Sequence, residues 1–174
     1  MVDLASFTPG ATTTPLWVPT VQALVNPGFE TGALAPWTTS AWVATGADAF
    51  TGSFSAEVVG NEWIRQDFAP IDVSNILLIS LYSREPDGAA IQAIDFFYGP
   101  NDFDEFLIFP PHDWTAADVT AQLRGTGSLS AIRIWGYSTG GSLPDLTRID
   151  DIVIDVGSTA SGPRTWGAVK RLYR

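Results

Sequence analysis

The sequence predicts an all-β protein, an antiparallel β-sandwich with an extended N-terminal arm and a short C-terminal helical tail. Sixteen Gly and twelve Pro separate short apolar runs, and almost nothing shows sustained helical periodicity. Both features are typical of antiparallel all-β folds. At 174 residues the chain is most simply one domain, long enough to bury a substantial core.

Short apolar runs with an alternating pattern predict nine strands, and turn-forming residues separate them. The predicted strands cover residues 22–25, 41–43, 55–59, 63–68, 76–84, 91–98, 105–109, 131–137 and 147–156. The turn signals lie at 85–88 (EPDG), 99–102 (GPND), 125–127 (GTG) and 138–145 (STGGSLPD). Residues 112–125 form the one predicted internal helical turn, with Asp113 or Thr115 as its N-cap and Gly125 as its end.

Two segments lie outside this pattern and define the predicted domain organisation. Residues 1–21 are rich in Thr and Pro and are predicted to be an extended arm. Residues 22–156 form the sandwich, and residues 157–174 form a linker and a docking tail.

Charge is unevenly distributed along the chain. Residues 1–163 carry a net charge of −14, whereas residues 164–174 carry +4. Because residues 1–163 are strongly acidic, they repel the phosphate backbone of nucleic acids, and nucleic acid is not an expected partner. There is no cysteine, which excludes disulfides and thiolate metal sites. No segment approaches the ~18 apolar residues of a membrane span, and the first 25 residues lack the charges and apolar run of a signal peptide.

Three short motifs in order carry a resemblance to a known class of domain. They are NPGFETGALAPW at 26–37, TGSFSAEV at 51–58 and RIDDIVID at 148–155. Together they resemble the opening, a middle strand and the closing strand of jelly-roll carbohydrate-binding modules of the type attached to xylanases and endoglucanases. The match spans about residues 22–156 and implies a jelly-roll fold. Within the first motif, Phe29 is expected to enter the core and Trp37 to cover the sandwich edge.

The same resemblance implies a structural calcium ion where the first loop meets the last strand. Carried over by position, Glu30 and Asp151 would supply carboxylate ligands, and backbone carbonyls near Gly52 would complete the oxygen shell. Strand alternation predicts that Asp151 points inward together with Ile149 and Val153. The alternative is that Asp151 caps backbone amides or pairs with an arginine and binds no metal.

Aromatic and arginine side chains alternate with apolar ones in three predicted strands, as they do in sugar-binding sheets, where rings stack on sugars and polar groups bind hydroxyls. A face built this way is either a glycan site or a surface covered by the arm, by loops or by a second subunit. Its predicted members are Trp63, Arg65, Tyr82, Arg84, Arg133, Trp135 and Tyr137.

Enzymatic activity is not expected. The single histidine, His112, lies in a turn-like FPPHDW segment, and neither a nucleophile elbow nor a Gly-rich phosphate loop is present. The abundant carboxylates cluster in predicted loops, where solvated acids are the usual case.

The C-terminal segment predicts a short amphipathic helix that docks on something else. Trp166, Val169 and Tyr173 share one face at i, i+3 and i+7. Roughly nine residues cannot hold a helix alone in water, so this one would form only against a groove of a partner or of the acidic body itself. The cations that flank the apolar face are Lys170, Arg171 and Arg174.

Two functions are consistent with these features. The first is a structural or binding protein that decorates a large particle such as a bacteriophage virion, held to a protein scaffold or like subunits by its arm and tail. Jelly rolls serve in viral shells as well as in lectins. The second is a secreted or excised module that binds polysaccharide on its aromatic face. The expected location is accordingly a virion surface or the extracellular space.

Overall fold

A computed structural model describes residues 20–86, 90–108, 112–138 and 145–157. The predicted arm up to residue 19 and the predicted docking tail lie outside these described residues. Eleven strands are present in this part of the chain: β1 (Thr20–Gln22), β2 (Thr38–Thr39), β3 (Val43–Thr45), β4 (Ser55–Val59), β5 (Glu62–Asp72), β6 (Ile76–Arg84), β7 (Ala90–Gly99), β8 (Asp102–Ile108), β9 (Thr115–Asp118), β10 (Ser128–Ser138) and β11 (Leu146–Gly157). Two 3₁₀ turns, Val73–Asn75 and Thr120–Gln122, are the only helical segments that the described residues contain.

The strands form two antiparallel sheets, as the sequence predicts. The first sheet has the order β3-β4-β11-β6-β9, with β1 paired to β11. The second sheet has the order β2-β5-β10-β7-β8. Within the described residues no helix is long and apolar enough to cross a bilayer.

The core lies between the sheets and is built by strand alternation. On β10, Ile132 and Ile134 are buried, and Ile64 of β5 and Ile94 of β7 pair with Ile134 on either side. On the facing sheet, Ile149, Ile152 and Ile154 of β11 are also buried. A period-two pattern thus commits one side of each central strand to the core and leaves the other side for surface contacts.

The loop at 26–37 closes one edge of this core, as its motif predicts. Phe29 and Trp37 are buried with ring centroids 5.8 Å apart, and the Trp37 indole donates to the carbonyl of Asn26 at 3.2 Å. The Asn26 amide in turn donates to the carbonyls of Ala33 and Ala35. These hydrogen bonds hold the loop in one conformation, although the loop has no regular secondary structure.

The predicted helical turn at 112–125 is wrong. Residues 115–118 form β9, which pairs with the edge of β6, and only Thr120–Gln122 has a helical turn. The Thr120 hydroxyl accepts a hydrogen bond from the Ile79 amide at 2.8 Å, which ties this segment to the sheet. Tertiary pairing therefore overrides the local helical preference.

The two sheets approach closely at Gly136 of β10. A Cβ there would lie 2.8 Å from Cγ1 of Val58 and 3.1 Å from Oγ1 of Thr147. Because both neighbours belong to the opposite sheet, only glycine allows this spacing at that end of the sandwich.

We expect Gly136→Ala to lower the free energy of unfolding by about 1–3 kcal/mol, since the added methyl group forces the sheets apart. Gly125→Ala is the matched control, because a Cβ at Gly125 meets nothing within 4 Å. Its expected effect is within about 0.5 kcal/mol. Urea unfolding of both variants measures the difference, and equal stabilities would contradict this account of the sheet spacing.

Candidate functional site

The outer side of the second sheet carries most of the predicted aromatic and arginine residues. Trp135 of β10 pairs with Trp63 of β5, and Arg133 pairs with Arg65 in the same register. Tyr137 follows on β10. All five side chains are partly exposed and alternate with buried residues. We call this surface the aromatic face.

The two other predicted members, Tyr82 and Arg84, do not belong to this face. They lie on β6 in the first sheet, so grouping them with β5 and β10 was wrong. Alternation predicts which side of a strand a residue occupies, but it does not specify the sheet to which that strand belongs.

Tyr82 and Arg84 instead belong to a cluster that a loop covers. The Phe50 ring stacks on Tyr82 with centroids 3.5 Å apart, and Asp48 pairs with Arg84. Asp48 also pairs with Nη1 of Arg148 at 2.8 Å and accepts from the Trp114 indole at 3.2 Å. Asp48 and Phe50 thus join the loop to the first sheet through ion pairs, a hydrogen bond and a ring stack, although Nε of Arg84 is buried without a partner.

On the aromatic face, three consecutive outward residues of β10 form a stack. The rings of Trp135 and Tyr137 are nearly parallel, with centroids 5.4 Å apart and an interplanar angle of 6°. The Arg133 guanidinium lies 4.8 Å from the Trp135 ring centroid. Because Arg133 and Tyr137 flank Trp135 along the strand, the indole lies between them and is partly exposed.

A buried carboxylate underlies this stack. Asp95 of β7 lies opposite Arg133 and is fully buried, although its side chain is on the outer side of the sheet. Its Oδ2 accepts from Nε of Arg133 at 2.5 Å and from Nε1 of Trp135 at 2.9 Å. Sequence analysis did not single out Asp95; the available signal was a lone acid inside the apolar run AIDFF, where a charge needs a partner.

Further contacts fix the rims of the face. The Tyr137 hydroxyl donates to Oε2 of Glu105 at 3.1 Å. Burial, followed by this hydrogen bond, raises the pKa of Tyr137 to about 12, so the hydroxyl keeps its proton at neutral pH. At the other rim, the Arg65 guanidinium lies 4.0 Å from the Phe97 ring centroid and pairs with Asp67.

The loop–strand junction predicted to hold calcium brings three carboxylates together. Glu30 accepts from the amides of Ser53 and Phe54 at 3.0–3.1 Å. Asp150 accepts from the amides of Phe50, Thr51 and Asp151, and Asp151 accepts from the Thr51 hydroxyl at 2.8 Å. A single loop therefore contacts all three acids.

The inward orientation predicted for Asp151 is wrong. A register shift between Asp150 and Val153 interrupts the pairing of β11 with β6, and Asp151 has a positive φ of 43°. Asp150 is consequently buried beside Ile149 and Ile152, whereas Asp151 is partly exposed. Burial raises the pKa of Asp150 to about 6. A β-bulge of this kind changes the face of every later residue, which strict alternation misses.

The glycines of this junction show how tightly its oxygens are placed. A Cβ at Gly28 would lie 2.9 Å from Oδ1 of Asp151 and 3.6 Å from Oδ1 of Asp150. At Gly52, where φ is +66°, a Cβ would lie 2.4 Å from the Glu30 carboxyl group.

The described residues contain no group of three acidic, His or Cys side chains already arranged as metal ligands. The oxygens present fit a hard cation such as calcium only if backbone carbonyls and water complete its shell.

Comparison with known proteins relates the chain to others through its fold. No protein-family model matches the sequence, and no curated protein matches it. Among solved structures, a family 61 carbohydrate-binding module (TmCBM61) in complex with β-1,4-galactotriose is 16% identical, with a TM-score of 0.60 over 76% of this chain and 97% of that one. A family 16 carbohydrate-binding module is 15% identical, with a TM-score of 0.55 over 74% and 96%.

A viral protein shares the same fold over part of its length. The enzymatically active domain of bacteriophage CBA120 tailspike protein 4 is 12% identical, with a TM-score of 0.56 over 76% of this chain and 21% of that one. The xylan-binding family 22 domain of Paenibacillus barcinonensis Xyn10C aligns over 82% and 97% at 15% identity, with a TM-score of 0.50. The chain thus has the β-sandwich fold of carbohydrate-binding modules.

Proposed function

We propose that the chain is a non-catalytic module that binds an uncharged polysaccharide on the aromatic face. The observation that carries this proposal is the stack of Arg133, Trp135 and Tyr137 beside Trp63. Such a surface offers apolar ring area to sugar C–H groups and nearby donors and acceptors to sugar hydroxyls.

The charges of the face favour a neutral ligand. Arg65 and Arg133 are each paired, with Asp67 and Asp95 respectively, and Glu105 adds another negative charge. A polyanion would meet no net positive field here, and the whole chain carries a charge of −10. The galactotriose bound by the family 61 module and the xylan named for the family 22 domain support the same ligand class.

We expect Trp135→Ala to weaken polysaccharide binding by at least about 30-fold, since a central aromatic anchor that becomes buried under the ligand contributes roughly 2 kcal/mol or more. The measurement is calorimetric titration with galactan, xylan, β-glucan and host-surface polysaccharides. Tyr82→Ala is the matched control, because that aromatic residue lies on the other sheet under Phe50. Its expected change in affinity is less than about threefold. Equal losses in both variants, or no binding by the wild type, would contradict the proposal.

Calcium at the loop–strand junction is a proposal of its own, supported by Glu30, Asp150 and Asp151 gathering around one loop. A bound cation would add positive charge where these three acids have no salt-bridge partner among the described residues. Its role would be structural: it would hold the first loop against β11.

With calcium at about 100 times its dissociation constant, we expect chelation to lower the melting temperature by roughly 5–10 °C. Glu30→Gln should remove this difference, whereas Asp67→Asn, which alters an exposed carboxylate on the other sheet, should retain it. A wild-type melting temperature indifferent to chelator would refute the calcium site.

Attachment to a virion is the second candidate function, favoured by the tailspike domain of the same fold and by the cationic C-terminal segment. In this proposal the tail residues from Trp166 to Arg174 dock on a scaffold and the sandwich faces outward.

Deletion of residues 158–174 tests the attachment and leaves β11 intact. We expect the truncated protein to fold and to bind polysaccharide as the full chain does, but to be lost from purified particles. Unchanged particle occupancy would refute the docking role of the tail.

A further inference from the structure

Asp95 occupies an unusual place for a carboxylate. It belongs to the outer side of the second sheet, yet the side chains around it exclude solvent completely. Burying an ionised carboxylate is costly unless strong donors compensate for the lost water. Both donors that bind it, Nε of Arg133 and Nε1 of Trp135, come from the stack on the aromatic face and reach Oδ2, whereas the buried Oδ1 has no hydrogen-bond partner among the described residues.

The way in which Arg133 is held determines what it can offer to a ligand. Its Nε is committed to Asp95, and no described residue accepts a hydrogen bond from its Nη groups. Arg65 on the neighbouring strand differs, because it uses both Nε and Nη2 to bind Asp67. Arg133 therefore keeps its terminal donors available for an incoming group, whereas Arg65 has fewer to give.

The same carboxylate orients the indole of Trp135. Its hydrogen bond to Nε1 fixes one edge of the indole, and the side chain remains partly exposed. The stacked ring of Tyr137 and the Arg133 guanidinium then limit rotation on both sides. Side chains fixed before binding lose less conformational entropy when a ligand arrives.

We propose that Asp95 is a positioning residue for sugar binding, which holds Arg133 and Trp135 in their binding-competent orientations from beneath the aromatic face. The inference rests on the proposed sugar-binding function of that face and adds a residue that is fully buried beneath it. Asp95 acts through its two partners, and its loss would release both together.

The test compares Asp95→Asn, which keeps the shape of the side chain and removes its charge, with Asp67→Asn, which removes the partner of Arg65 at the rim. Each protein is titrated with galactotriose and with xylan and β-glucan oligosaccharides. We expect Asp95→Asn to weaken the tightest interaction at least tenfold and Asp67→Asn to weaken it less than threefold. An affinity unchanged in folded Asp95→Asn would overturn the proposal, even if that variant is less stable.

A second readout needs no sugar. Hydrogen exchange followed by NMR should show the Trp135 indole and Arg133 Nε protons exchanging at least tenfold faster in Asp95→Asn. The indoles of Trp37 and Trp42, which donate to the carbonyls of Asn26 and Glu62, should keep their rates. Unchanged exchange at Trp135 would overturn the proposal.

The two readouts separate failure of the positioning role from failure of the proposed function. If the wild type binds none of the oligosaccharides, the proposed sugar-binding function is refuted for these ligands. The hydrogen-exchange rates then test on their own whether Asp95 holds Arg133 and Trp135 in place. If Asp95→Asn does not fold, Arg133→Lys replaces it, since lysine keeps the positive charge but lacks the Nε–Nη fork. Wild-type affinity in Arg133→Lys would then overturn the proposal.

Discussion

Strand β10 imposes the constraint on which both the core and the candidate site depend. Its inward residues Ile132, Ile134 and Gly136 pack between the sheets, and its outward residues form the stack on the aromatic face. The period of two links these sets rigidly, because a one-residue slip would exchange them. Gly136 strengthens the constraint, since the facing Val58 and Thr147 admit no side chain at that position. The site is therefore held in register by the same packing that stabilises the fold.

The two outer surfaces of the sandwich carry similar residues, namely acids, arginines and aromatic side chains, in different arrangements. On the first sheet, Asp48 contacts two arginines and an indole, and Phe50 lies over Tyr82, so the loop covers these side chains. On the second sheet, the acid lies beneath the arginine and the indole instead of above them. Arg133 and Trp135 consequently share one buried partner, and both side chains remain partly exposed. Composition does not distinguish these arrangements; the position of the carboxylate does.

Much of the fold was predictable because it follows from alternation and turn chemistry. The predicted strands at 55–59 and 76–84 coincide with β4 and β6, and the motif around Phe29 and Trp37 closes the core as expected. Non-local pairing accounts for the failures. Residues 115–118 became a strand because the edge of β6 accepts them, and the bulge beside Asp151 reversed the expected faces of two acids.

The candidate site was predictable in its residue types and less so in its membership. Five of its aromatic and arginine residues follow from alternation on β5 and β10, whereas sheet assignment separated Tyr82 and Arg84 from them. Asp95 was missed because an acid in an apolar strand does not reveal which donors surround it. Its role emerges only from the register that places β7 beside Arg133 and Trp135.

The central claim is that sugar binds the outer side of the second sheet, and the indole N–H signals of the tryptophans test it most directly. During a titration with oligosaccharide monitored by NMR, the account predicts that the signals of Trp63 and Trp135 shift with the same dissociation constant. Those of Trp37, Trp42 and Trp114 should stay in place, since all three donate to partners elsewhere in the sandwich. Shifts centred on Trp114, or binding that leaves Trp63 and Trp135 unmoved, would contradict it.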